Sequence, residues 1–164
     1  MRYFFMIFLF IFLDQSFAYN SEQLTEKEEH GSKEEQYSIG LMFEKDKNYI
    51  EAIKWYKLAA EKGDLYAQNN LGSIYKNGQG VMRNYNEAIK WLRLAAEHGS
   101  VDDQYNLGEM YEETNDYTNA KIMFQKALQS SIKINLNSSI IADIENKIAS
   151  IKNKEYIIKK HGKN

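Results

Sequence analysis

The 164-residue chain contains no cysteine and no proline. Without cysteine there is no disulfide framework, no thiolate metal site, no thiol nucleophile and no lipid attachment at an N-terminal cysteine. An exported form would have to be held together by packing alone. Without proline, the punctuation between elements falls to the nine glycines. Histidine is also scarce: His30, His98 and His161 are scattered along the chain and do not compose a site. The N-terminal apolar run, residues 3–13, has 11 members. A bilayer-spanning helix needs about 20, so this run is too short for an anchor and does not belong to a domain core.

That run is instead the centre of a signal-peptide pattern. Arg2 supplies the charged start, and Asp14 ends the apolar stretch. Ser16-Phe17-Ala18 then offers small residues at the two positions a signal peptidase inspects. Residues 1–18 are read as a signal peptide, giving an exported chain, periplasmic or secreted, with no stable membrane span after cleavage. Residues 19–35 carry six Glu and two Lys, which reads as an acidic flexible leader. Charge is uneven beyond it. Residues 19–120 hold 11 basic and 19 acidic side chains, whereas residues 121–164 hold 9 lysines and 3 acids. The first pattern is net acidic, the second net basic.

The most informative feature is an internal echo. Residues 49–63 return at residues 85–99, and the register extended to Lys76 and Glu112 gives 16 identities in 28 positions, where unrelated segments give roughly two. Each copy is read as a B helix followed by the next A helix. The anchor of each B helix is an aromatic with an alanine three residues on: Tyr49/Ala52, Tyr85/Ala88 and Tyr117/Ala120. A second alanine follows at Ala59, Ala95 and Ala127. Each A helix carries an internal glycine, in Ile39-Gly40-x-x-Phe43, Leu71-Gly72-x-x-Tyr75 and Leu107-Gly108-x-x-Tyr111. Interior glycine costs a helix about 1 kcal/mol, so its recurrence at one register predicts a close approach of two helix backbones.

Gly63 and Gly99 suit the left-handed residue that ends a helix. The A-to-B connection is longer in the middle unit, around Asn77-Gly78-Gln79-Gly80-Val81. At the third glycine register the chain has Ser131, and at the next Leu-Gly position it has Ser139-Ile140. A long helix from about Ser138 to Lys159, with Ile141, Ile144, Ile148 and Ile151 as its stripe, is read as a cap over the last repeat. The same spacing also suits a short dimerising seam.

These motifs resemble the Sel-one-like repeat, a branch of the tetratricopeptide superfamily. Ala-Ile-Lys-Trp-Tyr/Leu-x-Leu-Ala-Ala-Glu-x-Gly, Gln-x-Asn-Leu-Gly-x-x-Tyr and the Asn-Gly-Gln-Gly-Val loop carry the likeness. The third unit looks more like an ordinary tetratricopeptide repeat. The resemblance implies an all-α, right-handed solenoid of antiparallel helix pairs with a concave face lined by A helices. It implies adaptors for other proteins and brings no reaction with it. Asp103 departs from the pattern, standing where the family prefers a small apolar residue such as Ala67. The missing cysteines separate the chain from the exported cysteine-rich branch, whose members resemble β-lactam-binding proteins.

The resulting organisation is a signal peptide at 1–18, a leader at 19–35, and a repeat domain at 36–132 with helix pairs about 36–62, 65–98 and 101–130. A capping helix and basic tail follow at 133–164. The function read from this is an exported, non-catalytic protein-binding scaffold. The alternatives are a structural envelope protein that self-associates as a homodimer through the C-terminal helix, or a β-lactam-binding or hydrolase-like protein. No convergent polar groups suggest an enzyme, and no cofactor, metal or nucleic acid is expected. Asp102-Asp103 suit the start of an A helix, and Trp55 and Trp91 share a register that says helix packing. The Gly78-Gln79-Gly80 loop lacks the strand, lysine and hydroxyl of a phosphate cradle. Asn70 and Asn106, at one register, are expected to bond backbone or neighbouring helices first and a partner peptide second. A protein or peptide partner is expected at A-helix positions that differ between copies: Asn69, Ser73 and Lys76, and Tyr105, Glu109 and Glu112 at the same registers.

Overall fold

The computed structural model describes residues 23–28 and 30–161. The signal-peptide reading of residues 1–18 lies outside them. After a short helical segment at residues 23–28, the helices are α1 (Lys33–Lys45), α2 (Tyr49–Glu61), α3 (Leu65–Asn77), α4 (Tyr85–Ala96), α5 (Val101–Glu113), α6 (Tyr117–Lys133) and α7 (Ser138–His161). The chain is all-helical among the described residues, as its periodicity predicts. Helices α1/α2, α3/α4 and α5/α6 are the three A/B pairs, and each packs on its neighbours in chain order. The first helix starts at Lys33, three residues ahead of the expected Gln36. Ser32 and Glu35 form a reciprocal capping box there.

Every A and B helix begins on a side chain that accepts a first-turn amide: Ser32, Asn48, Asp64, Asn84, Ser100 and Asp116. Each such cap stabilises its helix by about 1 kcal/mol, so propensity and boundary agree along the array. Gly63 and Gly99 take φ of 80° and 82° and end the B helices as expected. Where Ser131 replaces the third glycine, α6 runs on to Lys133, and Asn135 turns the chain at φ 53°. In the long loop, an added Cβ on Gly80 would stand 2.5 Å from the Tyr49 Cβ. The loop of the second unit therefore rests on the start of α2 and ties the first two units together.

The recurrent A-helix glycines have a sharper reason than backbone proximity. A Cβ on Gly40 would lie 2.5 Å from the Tyr56 ring, one on Gly72 2.5 Å from Leu92, and one on Gly108 2.8 Å from the Phe124 ring. These three side chains each fall seven residues after their B-helix anchor. The glycine makes a socket, and a large B-helix side chain fills it.

Two apolar clusters run through the array. Ala52, Tyr56, Ala59, Leu71, Ile74 and Trp91 belong to the first. Leu92, Leu107, Met110, Phe124, Ile144 and Ile151 belong to the second. Trp55 and Trp91 are both buried in helix packing. Helix α7 lies antiparallel along α6, with Lys121 Nζ 2.5 Å from Glu155 Oε2. Ile144, Ile148 and Ile151 are buried and Ile141 half-buried. The isoleucine stripe is thus used inside the chain, and a coiled-coil dimer through the same stripe would have to displace it. Among the described residues no helix is long and apolar enough to cross a membrane.

Candidate partner-binding face

Helices α1, α3 and α5 run parallel as the three A helices, and their outward stripes form one face. On α3, Asn69, Ser73 and Lys76 recur at four and three residues, so they line one stripe. Tyr105, Glu109 and Glu112 repeat that stripe on α5. The structure divides these six residues into two groups.

Asn69, Ser73, Lys76 and Glu109 share a cavity of about 170 Å³ between α3 and α5, with Asn77, Asn106 and Leu92 completing its wall. Its polar side chains are already cross-linked. Asn69 Nδ2 donates to Asp103 Oδ1 at 2.7 Å, and Asn106 Nδ2 donates to Asn69 Oδ1 at 3.4 Å. Lys76 Nζ lies 2.7 Å from Glu113 Oε1. Asp103 is buried, and burial pushes its carboxyl above the usual carboxylate range despite hydrogen bonds to Ser100 and Asn69. The departure seen in the sequence is therefore a paired carboxylate inside the α3–α5 joint.

Tyr105 and Glu112 turn the other way, toward α7. Glu112 is held by Lys154 at 2.7 Å and Lys147 at 3.1 Å, and Lys147 also meets Glu109 at 3.2 Å. Burial raises the Glu112 carboxyl, but the two ammoniums outweigh it and hold it below its ordinary range. The Tyr105 ring packs edge-on against Phe124, with centroids 5.3 Å apart, and the Lys147 ammonium stands 5.9 Å from it. These residues dock the cap to α5 and are not presented beside Asn69 and Ser73. Asn106 bonds α3 as expected, and Asn70 bonds toward Tyr37 and Tyr56.

A larger groove, of about 540 Å³, opens at the N-terminal ends of α1, α3 and α5. Tyr37, Leu65 and Tyr66 form its apolar part, and Glu34, Asp64, Asp102 and Asp103 its acidic part. The Tyr37 and Tyr66 rings lie 5.8 Å apart, and Tyr66 is 70% exposed. Burial, then the charge of Asp64, raises the Tyr37 hydroxyl above its usual range. In the sequence Asp102 and Asp103 suit a helix start, and Asp103 also breaks the repeat pattern, but neither feature points to this groove. Its signal was present: Tyr66 and Asp102 occupy one register in the two copies and differ completely. No group of three or more His, Asp or Glu among the described residues is arranged to hold a metal ion.

Comparison with known proteins agrees with this architecture. The Sel1 repeat family matches residues 36–64 and 65–100, and the tetratricopeptide repeat family matches residues 104–131. A Sel1 repeat protein from Oxalobacter formigenes is similar in structure, with TM-score 0.60 and 31% identity over 66% of this chain and 34% of that one. A protective antigen present in uropathogenic Escherichia coli strains, displaying an SLR fold, aligns with TM-score 0.57 and 33% identity over 74% of this chain and 31% of its own. The chain thus spans about a third of the length of either structure. No curated protein matches it.

Proposed function

Because the chain belongs to the helical-repeat proteins, with two Sel1 repeats followed by a tetratricopeptide repeat, we propose that it is an exported, non-catalytic scaffold that binds a protein partner on its A-helix face. Repeats of this kind are typically interaction scaffolds. The observation that carries the reading is the open stretch of that face between α1, α3 and α5, where two adjoining cavities present tyrosines, amides and carboxylates from successive units. The third unit's half of the face is engaged by α7, so the binding stretch is short and lies toward the N-terminal side. Export rests on the charged start, apolar run and small-residue site of residues 1–18.

A photo-reactive residue at Ser73 tests the face in cells, with one at Lys90, exposed on α4, as control. The expected result is a discrete protein adduct from Ser73 and none from Lys90. Equal labelling from both, or none from Ser73, overturns the assignment. Sequencing the isolated protein from its N-terminus is expected to begin at Tyr19, and an intact Met1 overturns export by cleavage.

A further inference from the structure

We propose that the acidic groove at the N-terminal ends of α1, α3 and α5 receives the C-terminal end of α7 from a second copy of this chain. This deepens the scaffold reading by naming one occupant of the A-helix face, and it rests on that reading.

The occupant's chemistry is set by the groove. An apolar, tyrosine-bearing floor beside the exposed Glu34 and Asp102, with the buried Asp64 and Asp103 behind them and Lys33 as the one cation among the described lining residues, fits a segment that is apolar first and cationic next. The exposed ring of Tyr66 adds a face for an ammonium group. The chain carries such a segment. Tyr156, Ile157 and Ile158 are 62%, 48% and 54% exposed, and Lys159, Lys160 and His161 follow them directly. They are exposed because α7 outruns its support. The Lys154 ammonium stands over the ring of Tyr117, the first residue of α6, so residues 156–161 project about 9 Å past that helix.

The segment cannot reach the groove of its own molecule. Ser130 Oγ and Gln104 Oε1 lie 3.0 Å apart, which sets α5 antiparallel to α6. The Lys121–Glu155 pair does the same for α7. Helices α5 and α7 therefore run parallel, and the end of α7 sits at the edge opposite the groove. The 13 residues of α5 separate the two by about 20 Å. Only a second copy can supply the segment, and the contact joins two different surfaces. Such a heterologous contact builds head-to-tail chains, or rings where the rotation between copies closes. The charge asymmetry of the sequence, acidic over residues 19–120 and basic over residues 121–164, orients the copies in that sense.

Sedimentation velocity of the purified protein over a concentration series tests this. The wild type is expected to associate at low salt and dissociate as salt is raised. Lys159→Glu/Lys160→Glu in the tail, and separately Glu34→Lys/Asp102→Lys in the groove, are each expected to weaken association about tenfold. All four residues are exposed, so circular dichroism should be unchanged. Mixing the two variants pairs a reversed tail with a reversed groove and is expected to restore association. A wild type that stays monomeric throughout, association indifferent to both variants, or a mixture that does not recover would overturn the proposal. Binding of the tail to anionic vesicles by a protein that stays monomeric would also overturn it. Cross-linking of Ser73 to a different protein, with the chain monomeric, would leave the scaffold reading standing and remove this one.

Discussion

Replacing Gly72 by alanine asks whether the glycine sockets set the spacing of the helix pairs. The added Cβ would lie 2.5 Å from Leu92 Cγ and 2.7 Å from its Cδ2, against an optimum of about 3.5–4.0 Å for carbon pairs. Leu92 is 3% exposed and packed in the second apolar cluster, so moving it away from the new methyl gives up contacts there. Overpacking of this severity costs about 3 kcal/mol, at the upper end of the usual range. Alanine returns about 1 kcal/mol of helix propensity. The expected net loss is therefore about 2 kcal/mol, a fall of about 6 °C in melting temperature for a domain of this size. Leu92→Ala alone should cost about 3 kcal/mol as a buried cavity. In the double variant the new methyl enters the vacated space, the clash is gone and the propensity gain survives, so the total should be about 2 kcal/mol and not the additive 5. Urea unfolding followed by circular dichroism at 222 nm measures all three. Additivity to within about 0.5 kcal/mol would refute the socket argument, as would a Gly72→Ala protein more stable than the wild type.

Two further outcomes follow from the carboxylates of α5. Glu112→Gln removes the anchor shared by Lys147 and Lys154, at an expected cost of about 2 kcal/mol at neutral pH. Because the folded carboxyl is held below its ordinary value, this contribution is present above the unfolded carboxylate range and lost as pH falls through the folded value. Thermal melts of variant and wild type should therefore differ most at pH 7 and converge only as pH falls through the lowered folded value, beneath the ordinary carboxylate range; a difference that persists in stronger acid would contradict the ion-pair account. Asp103→Asn keeps an acceptor for Asn69 but removes a buried charge whose folded carboxyl is raised. It should raise the melting temperature at pH 7, where the aspartate is ionised and penalised, and the gain should shrink as pH falls through that raised value. A variant less stable than the wild type at pH 7 would show that the charge itself stabilises the joint.

The scaffold was legible in the sequence because copying repeats the packing code. The alanines at 52, 88 and 120 are all buried without exposure, and the two glycines after Ala-Ala-Glu-x turn the chain where expected. The cap was legible from the loss of the Leu-Gly signature at Ser139-Ile140. What the sequence could not give was which residues meet across units. Tyr105 and Glu112 share a register with Asn69 and Lys76, yet they face α7, because a register fixes a direction and not the identity of the neighbour. The acidic groove escaped for the same reason: Glu34, Tyr37, Tyr66 and Asp102 come from three helices, and only their stacking brings them together. Glycine at positions 40, 72 and 108 announced a tight fit, but the partner filling it is named by the pairing of helices and not by the helix itself.

Trp91 and Leu92 are adjacent in the chain, yet one belongs to the first apolar cluster and the other to the second. Helix α4 is therefore a party wall, supporting the rooms on both sides of it. A repeat array usually melts as a series of neighbouring units whose coupling depends on the joints between them. Here one helix cannot leave its place without opening both interiors at once, so the unit at each end is denied a melting temperature of its own. The two halves of this short array are coupled through that one shared helix.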